Sequence, residues 1–289
     1  MTAFAPLEAL AGTARGRLGD RRTRTLATAA ATVAVLLVIL VAGTLLADRA
    51  AHTNLTARNL SPSLGHPFGT DRLGRDQLAR TLAGLRLSLL IGALAASVSA
   101  GIALVLGAAA GALGRRVDAV VGWMVDLVMS IPHLVLLILL AFVLGGGMKA
   151  VVIGVAVTHW PSLTRVLRGE ARRVAASDYV AVSRRLGRRG AWVGRHHLAP
   201  HLVPHFTVGL VLLFPHAILH ESALSFLGLG LSPHEPAIGI LLADGMRYLS
   251  AGAWWLALLP GLALLLMVKT VDVLGQQLRN LTDPRTVQE

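Results

Sequence analysis

The sequence predicts an all-α membrane protein with six transmembrane helices. Three observations predict this class: 54% of the 289 residues are hydrophobic, the mean hydropathy is +0.66, and the apolar residues occur in long runs separated by basic segments. Only 15% of the residues are charged, against about 25% in soluble domains, which argues against a soluble enzyme. The net charge of +12 would suggest nucleic acid in a soluble protein, but bases between membrane spans follow from lipid and topology rules. Cysteine is absent, so disulfides, thiolate metal sites and cysteine nucleophiles are excluded.

The first two predicted spans are Leu26–Ala47 and Leu87–Leu113, which contain no charged residue and reach the length of about 20 residues that crosses a bilayer. The first follows an arginine-rich tail and exceeds the roughly 7–15 apolar residues of a signal peptide. We therefore expect an uncleaved helix with a cytoplasmic N-terminus. In the second span, Gly107 and Gly111 have the GxxxG spacing that lets helices approach closely in lipid.

The remaining four predicted spans are less regular. They occupy residues 119–144, 150–164, 198–227 and 249–268. The third run contains Asp126 and Pro132, and the fifth contains several histidines and Glu221. The fourth run is short for a bilayer, so its helix is expected to continue past Arg165.

Six spans and a cytoplasmic N-terminus place both termini in the cytoplasm. The loops 114–118 and 165–197 then lie inside, and both are rich in arginine, as the positive-inside rule requires. The external stretch 48–86 also contains six arginines, but three lie in mid-loop and three aspartates partly offset them. The chain divides into a cytoplasmic tail, the first span with its external segment, a transmembrane core and a C-terminal cytoplasmic tail, at residues 1–25, 26–86, 87–275 and 276–289.

The most informative segment is Tyr179–Pro200, YVAVSRRLGRRGAWVGRHHLAP. Its pattern predicts a short amphipathic helix, a reversal at Gly187, and a second short helix that leads to Pro200. A helix pair between the fourth and fifth spans offers a docking surface for a soluble partner. The alternative is a solvated basic loop at the lipid surface, and composition does not separate the two.

This segment resembles the EAA loop of ABC importer permeases, whose pattern is E-A-A, three residues, Gly, nine residues and I-x-L-P. We align the pattern on Gly187. The other aligned positions are Ala181, Val182, Ser183, His197, Ala199 and Pro200. Ala181 replaces the acidic first residue, and His197 and Ala199 replace the usual Ile and Leu.

Three further motifs resemble the C-type subunit, the shorter permease of a heterodimer, in dipeptide, oligopeptide and nickel importers. FGTDRLGRDQLARTLAGLRLSL, residues 68–89, resembles the stretch before the second span of these permeases. SFLGLGLSP, residues 225–233, and LRNLTDP, residues 278–284, match the same subfamily. The resemblance covers roughly residues 67–284, which is most of the chain.

The resemblance implies a permease subunit of an ATP-driven importer in a bacterial-type inner membrane, with peptides or nickel and other metal chelates as cargo. It implies four kinds of partner: a second, B-type permease, two cytoplasmic ATPases, an external substrate-binding protein and membrane lipid, but no nucleic acid. The ATPases would push the helix around residues 181–187 and so alternate access to a central path. The chain lacks the G-x-x-x-x-G-K-[ST] phosphate loop. We therefore expect ATP on the partner ATPases, and no catalytic residue or cofactor in this chain.

Ionisable residues inside spans are costly and usually face the bundle interior or a water path. The candidates for lining the translocation path are His133, His159, His205, His216 and His220. His216 and His220 share one helix face and, with Glu221, form a candidate metal set, although H-x-x-x-H-E is not the H-E-x-x-H motif. The favoured alternative is that the histidines bond to neighbouring helices, and that Asp126 and Asp272 pair with nearby basic residues.

Two other functional classes stay open on the residues alone. One is an ion-coupled secondary transporter that uses Asp126 and the histidines, but no inverted repeat is visible in the sequence. The other is a membrane-embedded metal-dependent hydrolase that uses the His/Glu cluster, but it lacks a nucleophile motif and a full metal set. Three tryptophans near the predicted interfaces are interpreted as membrane anchors: Trp123, Trp254 and Trp255.

Overall fold

The computed structural model describes residues 7–232 and 234–282, and side chains from residue 22 onward. Three parts of the predictions lie outside these ranges: Pro233, which closes one of the motifs, the Asp283-Pro284 helix stop, and residues 1–6 and 283–289 of the predicted tails. Within them the chain is helical and forms no strand. The helices are α1 Leu7–Leu45, α2 Ala47–Ala51, α3 Gln77–Ala112, α4 Arg115–Met129, α5 His133–Val143, α6 Gly147–Ala175, α7 Asp178–Arg185, α8 Gly190–Val193, α9 Ala199–Phe226, α10 Ile238–Arg247 and α11 Trp255–Thr282.

Among the described residues, five helical segments are long and apolar enough to cross a membrane. They are Arg22–Leu45, Gln77–Ala112, Gly147–Ala175, Gly190–Phe226 and Trp255–Thr282. The pair α4 and α5 supplies a sixth span only if it is counted as one bent span. The all-α membrane class is thus confirmed, with five spans or up to six. The fourth span does continue past Arg165, as its short apolar run required.

The third predicted span is not one continuous helix. Helices α4 and α5 meet at 88° across the break at residues 130–132. Pro132 stands immediately before α5, and a proline both lacks the amide donor and disfavours helical backbone in the residue before it. Each half is therefore shorter than the bilayer is thick, and the pair is a broken span or a re-entrant segment.

Helices α3 and α6 form the close crossing that the GxxxG spacing predicted. A Cβ added at Gly107 would lie 2.7 Å from Cβ of Leu167, and one added at Gly111 would lie 2.6 Å from Cβ of Ala171. Real Cβ atoms do not approach so closely, so only glycine permits this separation of the two backbones. The GxxxG prediction is confirmed, and its partner is α6.

The segment before α3 is held by buried ion pairs. Asp71 accepts hydrogen bonds from Nε of Arg75 at 2.7 Å and from Nη1 of Arg80 at 2.6 Å, and Arg80 is only 3% exposed. Because Asp71 neutralises Arg80, the helix can begin ten residues before the charge-free run. Helix α3 accordingly begins at Gln77 and includes the charge-free run that begins at Leu87.

Asp76 caps the N-terminus of α3. Its Oδ1 accepts the backbone N–H of Ala79 at 2.9 Å, and its Oδ2 lies 2.8 Å from Nη2 of Arg49 and 2.9 Å from Nδ1 of His66. Burial raises the pKa of Asp76, but these three contacts outweigh burial and hold the pKa below its ordinary value. The segment before α3, which the topology predicts to be external, is thus an ordered structure at one end of the bundle.

The helix of the sixth predicted span begins later and ends later than the predicted range of residues 249–268. Residues 249–253 are apolar or small, yet they form turns in which Gly252 has φ +85°, and the helix begins only at Trp255. It then continues through the predicted tail boundary at 275–276 to Thr282. The preceding loop contains the short helix α10, which packs on α11 and α9.

The outer faces of the long helices are apolar and exposed. Val38 on α1 is 64% exposed, Val105 on α3 is 68% exposed and Leu266 on α11 is 69% exposed. In water such a surface would drive aggregation, whereas in a bilayer it contacts lipid tails. The buried core lies on the inner faces, where α3, α6 and α9 meet.

Candidate functional site: the hairpin between α6 and α9

The segment Asp178–Leu198, here called the hairpin, joins α6 to α9. It consists of α7, a tight turn, α8 and a π-helical turn over residues 194–198 that leads into α9. Asp178 stands in the first turn of α7, and Arg184 and Arg185 stand in its last turn, so the charges complement the helix dipole at both ends. The predicted helix, reversal and second helix are all present.

Helix α7 ends in a Schellman motif at Gly187. The N–H of Gly187 donates to the carbonyl of Arg184 at 3.0 Å, and the N–H of Arg188 donates to the carbonyl of Ser183 at 3.1 Å. Gly187 has φ +82°, in the left-handed region that glycine reaches without a steric penalty. The predicted role of Gly187 in the chain reversal is therefore confirmed.

Three fully buried side chains fix the hairpin to the helical bundle. Val180, Val193 and Leu198 have 0% exposure and belong to the main core. Gly190 and Gly194 lie against Ala112, the last residue of α3. The hairpin is therefore seated on the C-terminal end of α3, beside the loop that leads into α4.

Polar and aromatic contacts tie α7 to the second half of the hairpin. The hydroxyl of Ser183 donates to the carbonyl of Tyr179 at 3.0 Å and lies 2.9 Å from Nε2 of His197. The ring of His197 also contacts Tyr179 and Trp192. Ser183 thus faces inward, whereas Ala181 and Val182 are exposed. Pro200 is exposed just after the π-helical turn, at the point where the helix continues into α9.

The outward face of α7 combines apolar side chains with arginines. Tyr179 is 45% exposed, Val182 is 54% exposed and Leu186 is 77% exposed. Their spacing of i, i+3 and i+7 places all three on one helix face, which is the pattern of a helix that docks in a groove. Sequence reasoning aligned Val182 but missed Tyr179 and Leu186, although the same spacing could have identified them. Four exposed arginines surround this face: Arg184, Arg185, Arg188 and Arg189.

The hairpin and the external segment lie at opposite ends of the bundle. The hairpin contacts the C-terminal end of α3, whereas Asp76 caps its N-terminus. The C-terminal end of α11 lies on the hairpin side, because Arg279 and Thr282 border a groove of about 390 Å³ together with Pro204 and His205. Thus the hairpin, the α3–α4 loop and the end of α11 share one side, in the relative arrangement that the topology predicted.

The five candidate path histidines do not form one group. His133, His159 and His220 converge, with one ring nitrogen of each within 4.8 Å of the others. His205 is exposed in the groove beside α11, and His216 is exposed on α9.

The candidate metal set of His216, His220 and Glu221 does not come together. Glu221 is 1% exposed, and its two carboxylate oxygens accept hydrogen bonds from Ser88 at 2.6 Å, Ser225 at 2.9 Å and Ser222 at 3.3 Å. Adjacent residues on a helix point about 100° apart, so Glu221 faces α3 while His220 faces α5 and α6. Glu221 therefore links α9 to α3, and the structure does not bring it together with His216 and His220.

The other ionisable residues form local pairs. Asp126 is 3.1 Å from Nη2 of Arg165, and Asp272 is 3.0 Å from Nζ of Lys269, as the pairing alternative predicted. The basic partners, Arg165 and Lys269, are exposed to solvent, so both ion pairs contribute little to stability. Trp123 and Trp254 are exposed, which suits membrane anchors, whereas Trp255 is half-buried beside Gly69.

Comparison with known proteins gives a consistent result. Residues 103–287 match the family described as binding-protein-dependent transport system inner membrane component. The chain is 34% identical over 232 residues to the dipeptide transport system permease protein DppC of Bacillus subtilis, covering 80% of this chain and 72% of that protein. It is 34% identical over 232 residues to the probable D,D-dipeptide transport system permease protein DdpC of Escherichia coli, covering 80% of this chain and 78% of that protein. It is 37% identical over 236 residues to a putative peptide permease protein of Brucella suis, covering 80% of this chain and 77% of that protein.

Proposed function

The chain belongs to the family of binding-protein-dependent transport system inner membrane components, and we propose that it is the permease subunit of an ATP-driven importer of peptides. As a member of this family it is a multi-pass transport subunit of the bacterial plasma membrane and not an enzyme. Membership sets aside the ion-coupled secondary transporter and the metal-dependent hydrolase that the residues alone left open. The names of the similar proteins support peptides over nickel or other metal chelates as cargo.

The proposal assigns this chain four kinds of partner: a second permease, two cytoplasmic ATPases, an external binding protein and the surrounding lipid. The observation that carries it is the hairpin. A helix ended by a Schellman motif, and anchored by the buried Val180, presents apolar side chains among arginines at one end of the bundle. A solvated loop would need neither the buried anchor nor the apolar face. We infer that this surface docks on an ATPase in the cytoplasm.

The proposed mechanism follows from how the hairpin is joined to the spans. Helix α6 runs into α7 with only two residues between them, and the hairpin runs into α9 without a break. When the ATPases close on ATP, a displaced hairpin would move α6 and α9, together with the α3 that packs closely on α6, relative to the other helices. Rigid-body movement of this kind alternates access to a central path between the two permeases.

The cargo is tested with the complete importer in proteoliposomes. We expect ATP-dependent uptake of a labelled dipeptide when the external binding protein is present, and no uptake without ATP. Unlabelled dipeptide should compete, whereas Ni²⁺ should not. Uptake of Ni²⁺ without uptake of dipeptide would reassign the cargo to metal ions or their chelates.

The orientation is tested with single cysteines, which are specific because the chain has none of its own. Leu64 in the external segment is fully exposed, and Leu186 on the hairpin is 77% exposed. In intact spheroplasts, a membrane-impermeant maleimide should label Leu64→Cys but not Leu186→Cys. Permeabilised cells should show both labels. Labelling of both variants in intact cells would contradict the assignment of the hairpin to the cytoplasm.

A further inference from the structure

Three histidines from three helices form a cluster inside the bundle. His133 is the first residue of α5, His159 lies in the middle of α6 and His220 lies in the second half of α9. The ring centroids are 4.5 Å, 4.7 Å and 4.8 Å apart, and every pair is edge-to-face. His159 is buried and the other two are half-buried.

The surroundings fix where two of these rings carry their hydrogen. Nδ1 of His159 lies 2.9 Å from the carbonyl of Val155, and Nδ1 of His220 lies 2.7 Å from the carbonyl of His216. A carbonyl oxygen only accepts, so in each neutral ring Nδ1 carries the hydrogen and Nε2 keeps a lone pair. Nε2 of His159 is directed at the His220 ring, 3.4 Å from its Nδ1.

His133 provides an independent observation. Its Nε2 is buried and has no hydrogen-bond partner in the described part of the chain. Buried polar atoms are nearly always satisfied, and an orphaned one calls for an explanation such as a missing ion. The cluster therefore combines the unpartnered nitrogen of His133 with two further rings that keep Nε2 lone pairs, and the lone pair of His159 faces Nδ1 of His220 at 3.4 Å.

This arrangement matches the chemistry of a transition-metal site. Metal-bound histidines usually donate the other ring N–H to a backbone carbonyl or a carboxylate, as His159 and His220 do here. Neutral imidazoles suit zinc and its neighbours, whereas Ca²⁺ and Mg²⁺ require oxygen ligands, and this group consists of three histidines without a carboxylate. Tetrahedral Zn²⁺ with bonds of about 2.0–2.1 Å needs nitrogens roughly 3.3 Å apart. The ligand nitrogens now lie within 4.8 Å of one another, so the rings have to turn inward on the ion to reach that spacing.

We propose that His133, His159 and His220 bind one divalent transition-metal ion of the zinc class. The three ligands leave a fourth position for water. The ion would join α5, α6 and α9, and so fix the bent pair against two of the spans. This site goes beyond the proposed function, because it requires neither a metal cargo nor the ATPases.

The test uses the full chain in its purified complex, isolated with a tag that contains no histidine. Titration with Co²⁺ should give the visible absorption of a tetrahedral site at one equivalent per chain, and Zn²⁺ should displace it. His133→Gln, His159→Gln and His220→Gln should each weaken Zn²⁺ binding by about 100-fold or more, since even changes to groups that only orient a ligand cost 10–100-fold. The matched controls His205→Gln and His216→Gln should bind as the unmodified chain does.

The spectrum of the unmodified chain needs no variant, so it decides the matter even if a substitution impairs folding. Absence of saturable Co²⁺ and Zn²⁺ binding to the unmodified complex would overturn the proposal. Loss of binding in His205→Gln or His216→Gln, with binding retained in the three cluster variants, would also overturn it and place the ion at the surface. Neither result would affect the test of peptide uptake, so the two proposals fail independently.

Discussion

Replacing Gly187 with Val is expected to abolish transport while the chain stays folded in the membrane. A β-branched residue at φ +82° costs about 1–3 kcal/mol. A Cβ at this position would meet no atom within 4 Å, so the cost arises from the backbone and acts on the turn rather than on packing. Helix α7 has only eight residues and depends on its ends, so loss of the Schellman bonds should fray the docking face. Because 1.4 kcal/mol corresponds to tenfold in affinity, we expect ATPase association to weaken by about tenfold or more.

Co-purification of the ATPases with the tagged permease, and peptide uptake in proteoliposomes, measure this effect. Gly187→Asn is the matched control, because asparagine tolerates the left-handed region far better than valine. It should retain most of the association and transport. Wild-type association and transport in Gly187→Val would instead mean that the hairpin is a solvated linker, and would remove the main structural support for docking.

Replacing Glu221 with Ala is expected to destabilise the bundle more than any change at an exposed residue. The side chain is buried between α9 and α3, and three serine hydroxyls donate to it. Truncation leaves a cavity and removes their acceptor, so we expect a loss of about 2–4 kcal/mol in the free energy of unfolding. Interhelical hydrogen bonds in membranes average only about 0.6 kcal/mol, so the cavity supplies most of this loss.

Thermal unfolding of the purified complex in detergent measures the change. Glu221→Gln keeps the volume and one acceptor oxygen, and should cost less than about 1 kcal/mol. Ser88→Ala removes only the bond between the two helices and should also have a small effect. If Glu221→Gln lowered stability as much as Glu221→Ala, the carboxylate charge and not the packing would be the important property.

Local signals in the sequence predicted the elements whose causes are local. Charge-free runs identified the long helices, the GxxxG spacing identified a close crossing, and Gly187 identified the end of α7. Each of these depends on residues within a few turns of one another. The start of α11 was misplaced, because apolar residues at 249–253 satisfy hydropathy while Gly252 keeps them in a turn.

The histidine cluster could not be predicted, since its members lie 26 and 61 residues apart along the chain. His133 follows the 88° break between α4 and α5, and its ring lies against His159 of α6 and His220 of α9. Sequence reasoning paired His216 with His220 because four residues make one helical turn, but packing turns only His220 inward. Likewise, Glu221 was interpreted as a ligand because it adjoins His220, whereas the serine on α3 that donates to it is 133 residues away.

The close crossing of α3 and α6 also determines how force travels through the protein. Gly107 and Gly111 allow the two helices to pack closely. The C-terminal ends of both helices support the hairpin, because α6 leads into α7 and α3 ends against Gly190. Helix α6 is about 40 Å long, given its 29 residues, but it contains Pro161, so the contacts at Gly107 and Gly111 stiffen only the half of α6 nearer the hairpin. At the far end of α6, the N–H of Gly147 donates to the carbonyl of Gly230 at 2.8 Å. If an ATPase pushes the hairpin as proposed, we therefore expect the movement to pass along α6 to the loop after α9, at the opposite end of the bundle.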